Sequence, residues 1–363
     1  MFKKLTTPAM AIMAALSITP LFAADKWQDL NVENTPGLAG NEIQFIKPMN
    51  GEVWIGTLSG LSVYRDGEFE IAKQEKTKWQ RKDGKRVQVT ELVPSKTKAW
   101  DIIKTGDGSY LVGVHGGLIE LEDGVLGKAH LSGKTVSPIL DFGDGNFWAL
   151  GKDLGTETNT LFHNEDGAWK PIPGFADQKV ADVTRTKDGH IWVMIDGDGV
   201  MEIAPENGIQ EAKHHLKGMN VTSVFQTREG KVCCGTWGRG VAMQDGGKWT
   251  YHLSKMKSAI LGMAEDKDGN IWIATTADGA QVYDGETWTA RVTDEGPVNL
   301  LETDSEGRVW ISTQLRGGLR YWNGKEWIES LATPLPMRCL VQDKEDRIWA
   351  GGVLDGLHIR GGL

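Results

Sequence analysis

One phrase of about a dozen residues recurs eight times along this chain, and it leaves few folds open. Copies read GEVWIGTLSGLSVY from Gly51, GHIWVMIDGDGVMEI from Gly189, GNIWIATTADGAQVY from Gly269 and GRVWISTQLRGGLRY from Gly307. Gly108, Gly145, Gly230 and Asp346 open the other four. Successive openings lie 37 to 44 residues apart except the first pair, at 57, with a mean of about 42. That is the size of one four-stranded propeller blade.

Each copy is a set of backbone instructions. An alternating run such as Val180-Ala181-Asp182-Val183 predicts the innermost strand, and Lys187-Asp188-Gly189 supplies the positive φ of a hairpin turn. The strand Ile191-Trp192-Val193 follows, then a glycine-rich loop and a third strand over 199–203. A second turn leads to another aromatic, at Trp169, Trp288 and Trp327, which opens the outer strand. No copy can cover both of its apolar faces alone, so the copies must stack radially or in a row. The ends decide between ring and solenoid. Leu357-His358-Ile359-Arg360 reads as a third strand, and Trp27-Gln28-Asp29-Leu30 reads as the missing fourth. The expectation is an all-β chain: a single β-propeller of about eight four-stranded blades, closed by pairing Trp27 to about Val32 with Gly352 to Arg360. Seven blades plus one degenerate copy is the alternative. The extra length of the first repeat, between Ile71 and Trp100 around the basic run 73–82, is expected to be a solvated hairpin turned at Asp83-Gly84; the alternative is a partner-binding excursion.

Residues 1–24 are a separate object. Lys3 and Lys4 precede an uncharged, largely apolar run from Leu5 to Phe22, interrupted by Pro8 and Pro20 and ending in Ala23 and Ala24. This is the pattern of a secretory signal peptide cleaved near Ala23 or Ala24. It predicts a periplasmic or secreted propeller over 25–363, with no membrane span in the mature chain. Lys and Arg number 40 against 49 Asp and Glu, a net charge of −9, which argues against a nucleic-acid partner. Three cysteines make no disulfide framework. The adjacent Cys233 and Cys234 are expected to be small buried residues, Cys233 standing where six other copies place tryptophan.

The runs Lys267-Asp268-Gly269-Asn270-Ile271-Trp272-Ile273-Ala274-Thr275 and Glu306-Gly307-Arg308-Val309-Trp310-Ile311-Ser312-Thr313 closely resemble the two-component regulator propeller repeat. The resemblance implies a sensing or binding propeller. In that family such propellers usually form the sensing part of a membrane-bound histidine kinase. No kinase, DNA-binding or transmembrane segment follows Leu363 here, so action through a partner is expected.

Candidate functional residues are those that escape the packing rules of the repeat. The loops joining strands two and three share one rim with the turns leading into strand one. The first set offers His115, Asp196, Asp198, Trp237, Arg239, Arg316 and Asp355, and the second offers Asn220 and Arg338. Charge, amide and one indole suit a small polar, anionic or sugar-like ligand, or a periplasmic protein partner. Trp237 and Arg239 stand out because both interrupt a loop of small residues. No cofactor is implied, and no metal motif closes. Asp266-Lys267-Asp268-Gly269-Asn270 lacks the distal glutamate of a calcium loop and falls where every blade has its turn. His214-His215 has no companion at ligand spacing and is expected in an exposed outer loop. The preferred function is non-catalytic recognition at the rim. The alternative is a propeller lyase or hydrolase with His115 as base, since the blades are also similar to those of streptogramin-type lyases. That alternative requires a carboxylate within hydrogen-bond reach of His115.

Overall fold

The computed structural model describes residues 26–363 other than 84, 144, 157, 166, 177 and 205–208. The leader predicted over residues 1–24 lies outside the described residues. Eight sheets, each built on four antiparallel strands, follow one another around a ring. Their four-stranded units cover residues 43–71, 99–130, 134–171, 180–215, 221–252, 260–292, 298–331, and finally 337–360 with 27–30. The innermost strand of each blade packs beside that of the next, and Met337–Gln342 of the eighth returns to Ile43–Met49 of the first. The eight-blade count holds.

The closing blade is composite. Trp27–Leu30 pairs antiparallel with Leu357–Arg360, matching Trp27 to Arg360 and Leu30 to Leu357. The pairing stops at Leu30, short of Val32, because the chain then turns at 31–34 on bonds to the side chains of Asn31 and Asn34. Asp29 Oδ1 lies 2.7 Å from His358 Nδ1.

Two aromatic positions per repeat have a single cause. The strand-two indole of one blade packs on the aromatic that opens the outer strand of the next: Trp192 on Trp249, Trp272 on Trp327, Trp310 on Trp27, Trp349 on Phe69. Ring centroids are 5.7–6.5 Å apart in near-perpendicular or tilted pairs, the geometry that ring quadrupoles favour. Each strand-two indole N–H in the last three blades is also held. Asp266, Asp304 and Asp343 accept from the Nε1 of Trp272, Trp310 and Trp349 at 2.7–2.9 Å, while their other oxygen caps the intervening turn. The recurring aspartate thus fixes a hairpin turn and satisfies a buried indole.

Cys233 and Cys234 are both buried thiols on the extended strand Val232–Thr236, with side chains on opposite faces of the sheet. Cys233 faces Tyr283 and Trp288 of the sixth blade, and Cys234 packs with Trp192 of the fourth. Burial pushes the Cys233 thiol up to about 12 and Cys234 well above the ordinary thiol value, so neither presents a thiolate nucleophile.

Two expectations need correction. The extra length after the first blade is a hairpin, Lys73–Lys82 with Lys85–Pro94, but it belongs to the second blade's sheet. Lys73 and Gln74 pair in parallel with Val125 and Leu126 on that blade's outer edge, where unpaired backbone groups were open to receive a strand. His214 and His215 are not in an exposed loop. They lie half-buried on the fourth blade's outer strand, Lys213–His215. Glu202, on the strand beside them, sits 2.7 Å from His215 Nε2 and 2.7 Å from His190 Nδ1. A period-two pattern could not show this pairing, which joins two strands to the turn before a third.

Candidate functional site

The rim predicted from the repeat exists, and backbone bonds build it. The residue following strand two donates its N–H to the carbonyl just before strand one of the same blade: His115 to Lys98, Asp196 to Lys179, Trp237 to Asn220, at 2.8–3.0 Å. Other bonds cross to the following blade, Gly238 to Ser258 and Gly356 to Asn41. The loop tips are therefore stapled over the channel mouth by main-chain bonds, and their side chains are left to face outward.

Eight of the nine predicted side chains fall into two sectors, half-buried Asn220 among those of the fifth blade. In the fourth and fifth blades, Trp237 is 62% exposed, and Arg239 beside it has no ion-pair partner among the described residues. Asp196 is exposed next door. Asp198 is turned outward instead, accepting from Gly218 N–H at 3.2 Å with His214 Nε2 3.7 Å from its carboxylate. In the seventh and eighth blades, Arg316 is held 2.5 Å from Glu329 and 3.7 Å from Glu295. Arg338 donates to the Gln44 side chain of the first blade. Asp355 is half-buried, and its Oδ2 has no hydrogen-bond partner among the described residues. His115 stands apart in the second blade, exposed, its Nδ1 3.1 Å from the Thr135 hydroxyl. No carboxylate bonds to it among the described residues, so the acid–base pair that the lyase alternative requires is not assembled.

The rim also carries a feature that residue-by-residue reading missed. Val32, Leu154, Trp237, Leu261, Leu315 and Leu354 are all exposed on this face, Leu315 at 73%. Four of them, Leu154, Trp237, Leu315 and Leu354, occupy the first or second position after a strand two. The signal was there in the loop offset, but one leucine in one loop is unremarkable until neighbouring blades repeat it.

Beneath the rim, the innermost strands place charge along the channel. Lys47 of the first blade ion-pairs with Asp101 of the second, whose other oxygen accepts from Ile139 N–H of the third at 2.7 Å. Glu302 of the seventh blade holds the strand position that Lys47 holds in the first, and there it faces Cys339 in place of a charged partner. Burial raises Glu302 to about 7 and raises Asp182, likewise without a cation. The folded chain therefore holds the Glu302 proton more tightly than the unfolded one. Stability from this group is complete below about pH 4.5 and falls as pH rises through 7. The full shift corresponds to roughly 3 kcal/mol, but solvent reaches the carboxylate along the channel, so the expected effect is about 1 kcal/mol. Glu302→Gln should melt higher than the parent at pH 8 and level with it at pH 4. Parallel pH profiles would refute the assignment.

With ring and rim in place, the class is defined by the fold, an eight-bladed β-propeller, and one segment of it matches the two component regulator propeller repeat. The family profile of that repeat matches residues 256–277, as the motif reading expected. No curated protein matches the sequence. Among solved structures, the chain is similar to the extracellular domain of a one component system from B. thetaiotaomicron, with 14% identity and a TM-score of 0.52 over 91% of this chain. It spans about half of that domain's length, 51%. It is also similar to virginiamycin B lyase from Staphylococcus aureus, with 12% identity, a TM-score of 0.53, and 92% and 98% of the two chains covered. Saccharomyces cerevisiae Sqt1 gives 12% identity and a TM-score of 0.63 over 93% and 98%. Such distant likenesses speak for the fold alone. No helix among the described residues is long and apolar enough to cross a membrane.

Proposed function

We propose that this chain is an extracytoplasmic recognition propeller of the sensor type, and that it binds a protein partner across its strand two–three rim. The observation carrying the reading is the set of exposed apolar tips, with Trp237 on the fifth blade, Leu315 on the seventh and Arg239 free to meet an acidic group. A small sugar or anion would use the polar groups, but it would leave these leucines without purpose. A protein segment would cover them, with the aromatic and the arginine as anchors. The sensor assignment is supported by the repeat and by the extracellular propeller of the B. thetaiotaomicron system, and the location by the leader-like residues 1–24.

Two measurements test this. The intact mass of exported protein should begin at Ala24 or Asp25; an uncleaved Met1 would refute the location. A thermal-shift screen of peptides, sugars and anions should return an apolar-containing peptide whose effect is lost in Trp237→Ala/Leu315→Ser. A binder raises the melting temperature by favouring the native state, and losing one central anchor weakens binding about thirtyfold. A peptide hit indifferent to the double variant would overturn the rim assignment. Hits confined to sugars or anions would overturn the protein-partner reading.

A further inference from the structure

The hairpin Lys73–Lys82/Lys85–Pro94 has no role in the ring. Only Lys73 and Gln74 join it to the second blade's outer strand, while all ten residue pairs from Lys73–Pro94 to Lys82–Lys85 join its own two strands. Beyond that root it is a two-stranded ribbon about 25 Å long at 3.3 Å per residue. Side chains on both of its faces are exposed or half-buried. A lone hairpin is marginally stable in water, so a long one kept outside the core calls for something to lie against.

Its charge says what. Residues 73–94 hold seven cations and three acids, net +4, in a chain whose total is −9, leaving −13 for everything else. The charge is also graded. Lys73, Lys76, Glu75 and Glu91 cancel near the root, and the whole excess sits in residues 78–86, where five cations meet Asp83 alone. Lys78 pairs with Glu91 at 2.5 Å. Arg81, Lys82, Lys85 and Arg86 have no carboxylate partner among the described residues, and Arg86 lies 5.2 Å from the ring centroid of Trp79. Trp79 itself is 59% exposed.

We infer that this arm docks the propeller on an anionic phospholipid bilayer, its cationic tip at the headgroups and Trp79 at the interface. Basic residues gather at negatively charged membrane surfaces, and tryptophan favours the boundary between headgroup and acyl chain. A peptide adding to the free edge of Lys85–Pro94 would draw on the length of the strand, whereas here the charge is collected at the tip. The acidic body would be held away from the surface by the arm's own length.

The test is sedimentation of the protein, without its leader, with phosphatidylcholine vesicles containing or lacking 30% phosphatidylglycerol. Binding is expected only to the anionic vesicles and should be released by 0.5 M salt. The variant Arg81→Gln/Lys82→Gln/Lys85→Gln/Arg86→Gln should bind at least 100-fold more weakly and melt with the parent, because none of the four bonds to the body. Trp79→Ala should bind about fivefold more weakly, providing a second variant that keeps the charge. Equal binding to both vesicle types, or parent-like binding by the quadruple variant, would overturn the inference. Retention on polyglutamate or an oligonucleotide with no sedimentation on anionic vesicles would assign the arm to a soluble polyanion and overturn it equally.

Discussion

Deleting residues 26–30 should lower the melting temperature by about 10 °C, whereas deleting Gly361–Leu363 from the other end should cost about 1 °C. The asymmetry follows from what each end touches. Leu30 is buried in the core shared by the first and eighth blades. Trp27 packs edge-on against Trp310 at 6.3 Å and donates its indole N–H to Ser330 Oγ at 3.1 Å. Asp29 meets the buried His358. Losing one buried leucine, one packed indole and a four-residue ladder costs about 5 kcal/mol, at roughly 2 °C per kcal/mol for a chain of this size. Residues 361–363 are exposed, and surface changes are usually within about 0.5 kcal/mol. Melting curves of the two truncations decide the matter. Equal curves would mean that the ring does not depend on its composite blade.

Asp304→Ala should destabilise the protein by about 3–5 kcal/mol, more than almost any other single replacement of a charged residue here. The carboxylate is fully buried and accepts from four donors: the N–H groups of Glu306 and Arg308, the guanidinium of Arg308 at 2.6 Å and the indole of Trp310 at 2.7 Å. Alanine would leave a buried indole N–H without its acceptor and Arg308 with the exposed Glu306 as its remaining ion-pair partner, and removing one partner of a buried pair is what costs most. Asp304→Asn should lose less, since one amide oxygen can still serve the turn. The control is Asp268→Ala, the exposed neighbour position in the sixth blade's turn, which should change stability by less than about 0.5 kcal/mol. Denaturant midpoints for the three variants settle it; an Asp304→Ala midpoint near that of Asp268→Ala would refute the account.

Strands, turns and closure could be read from residues because their causes are local and repeated eight times. Apolar alternation sets the strand, Asp-Gly sets the turn, and Trp at a fixed offset sets the blade contact. The rim was legible as a place for the same reason. Its chemistry was not. Arg316 and Asp198 resembled open charges in a loop, yet each is engaged by a side chain on its blade's outer strand, Glu329 and His214. Those pairings depend on which way a loop side chain turns, and spacing does not encode that. The apolar tips were missed for the opposite reason: Leu154, Leu315 and Leu354 are each ordinary, and only their common offset around a ring makes them a surface. The hairpin itself was foreseen. Its attachment was not, because a parallel pairing of two residues with Val125 and Leu126 leaves no pattern in either segment.

The composite blade also sets an order of events. Trp27–Leu30 is made first, and its partner Leu357–Arg360 comes more than three hundred residues later. Until then the first strand has no ladder to join, and the innermost strand of the first blade has no neighbour on one side. Non-local contacts of this separation are slow to form because the loop must close before they repay it. The seven intermediate sheets can each assemble from consecutive residues, so closure is the step left for last. A chain interrupted anywhere before Leu357 would keep an unsealed edge of the kind that recruits foreign strands. The ring therefore acts as its own completion signal: the surface that invites aggregation disappears when the last strand is in place.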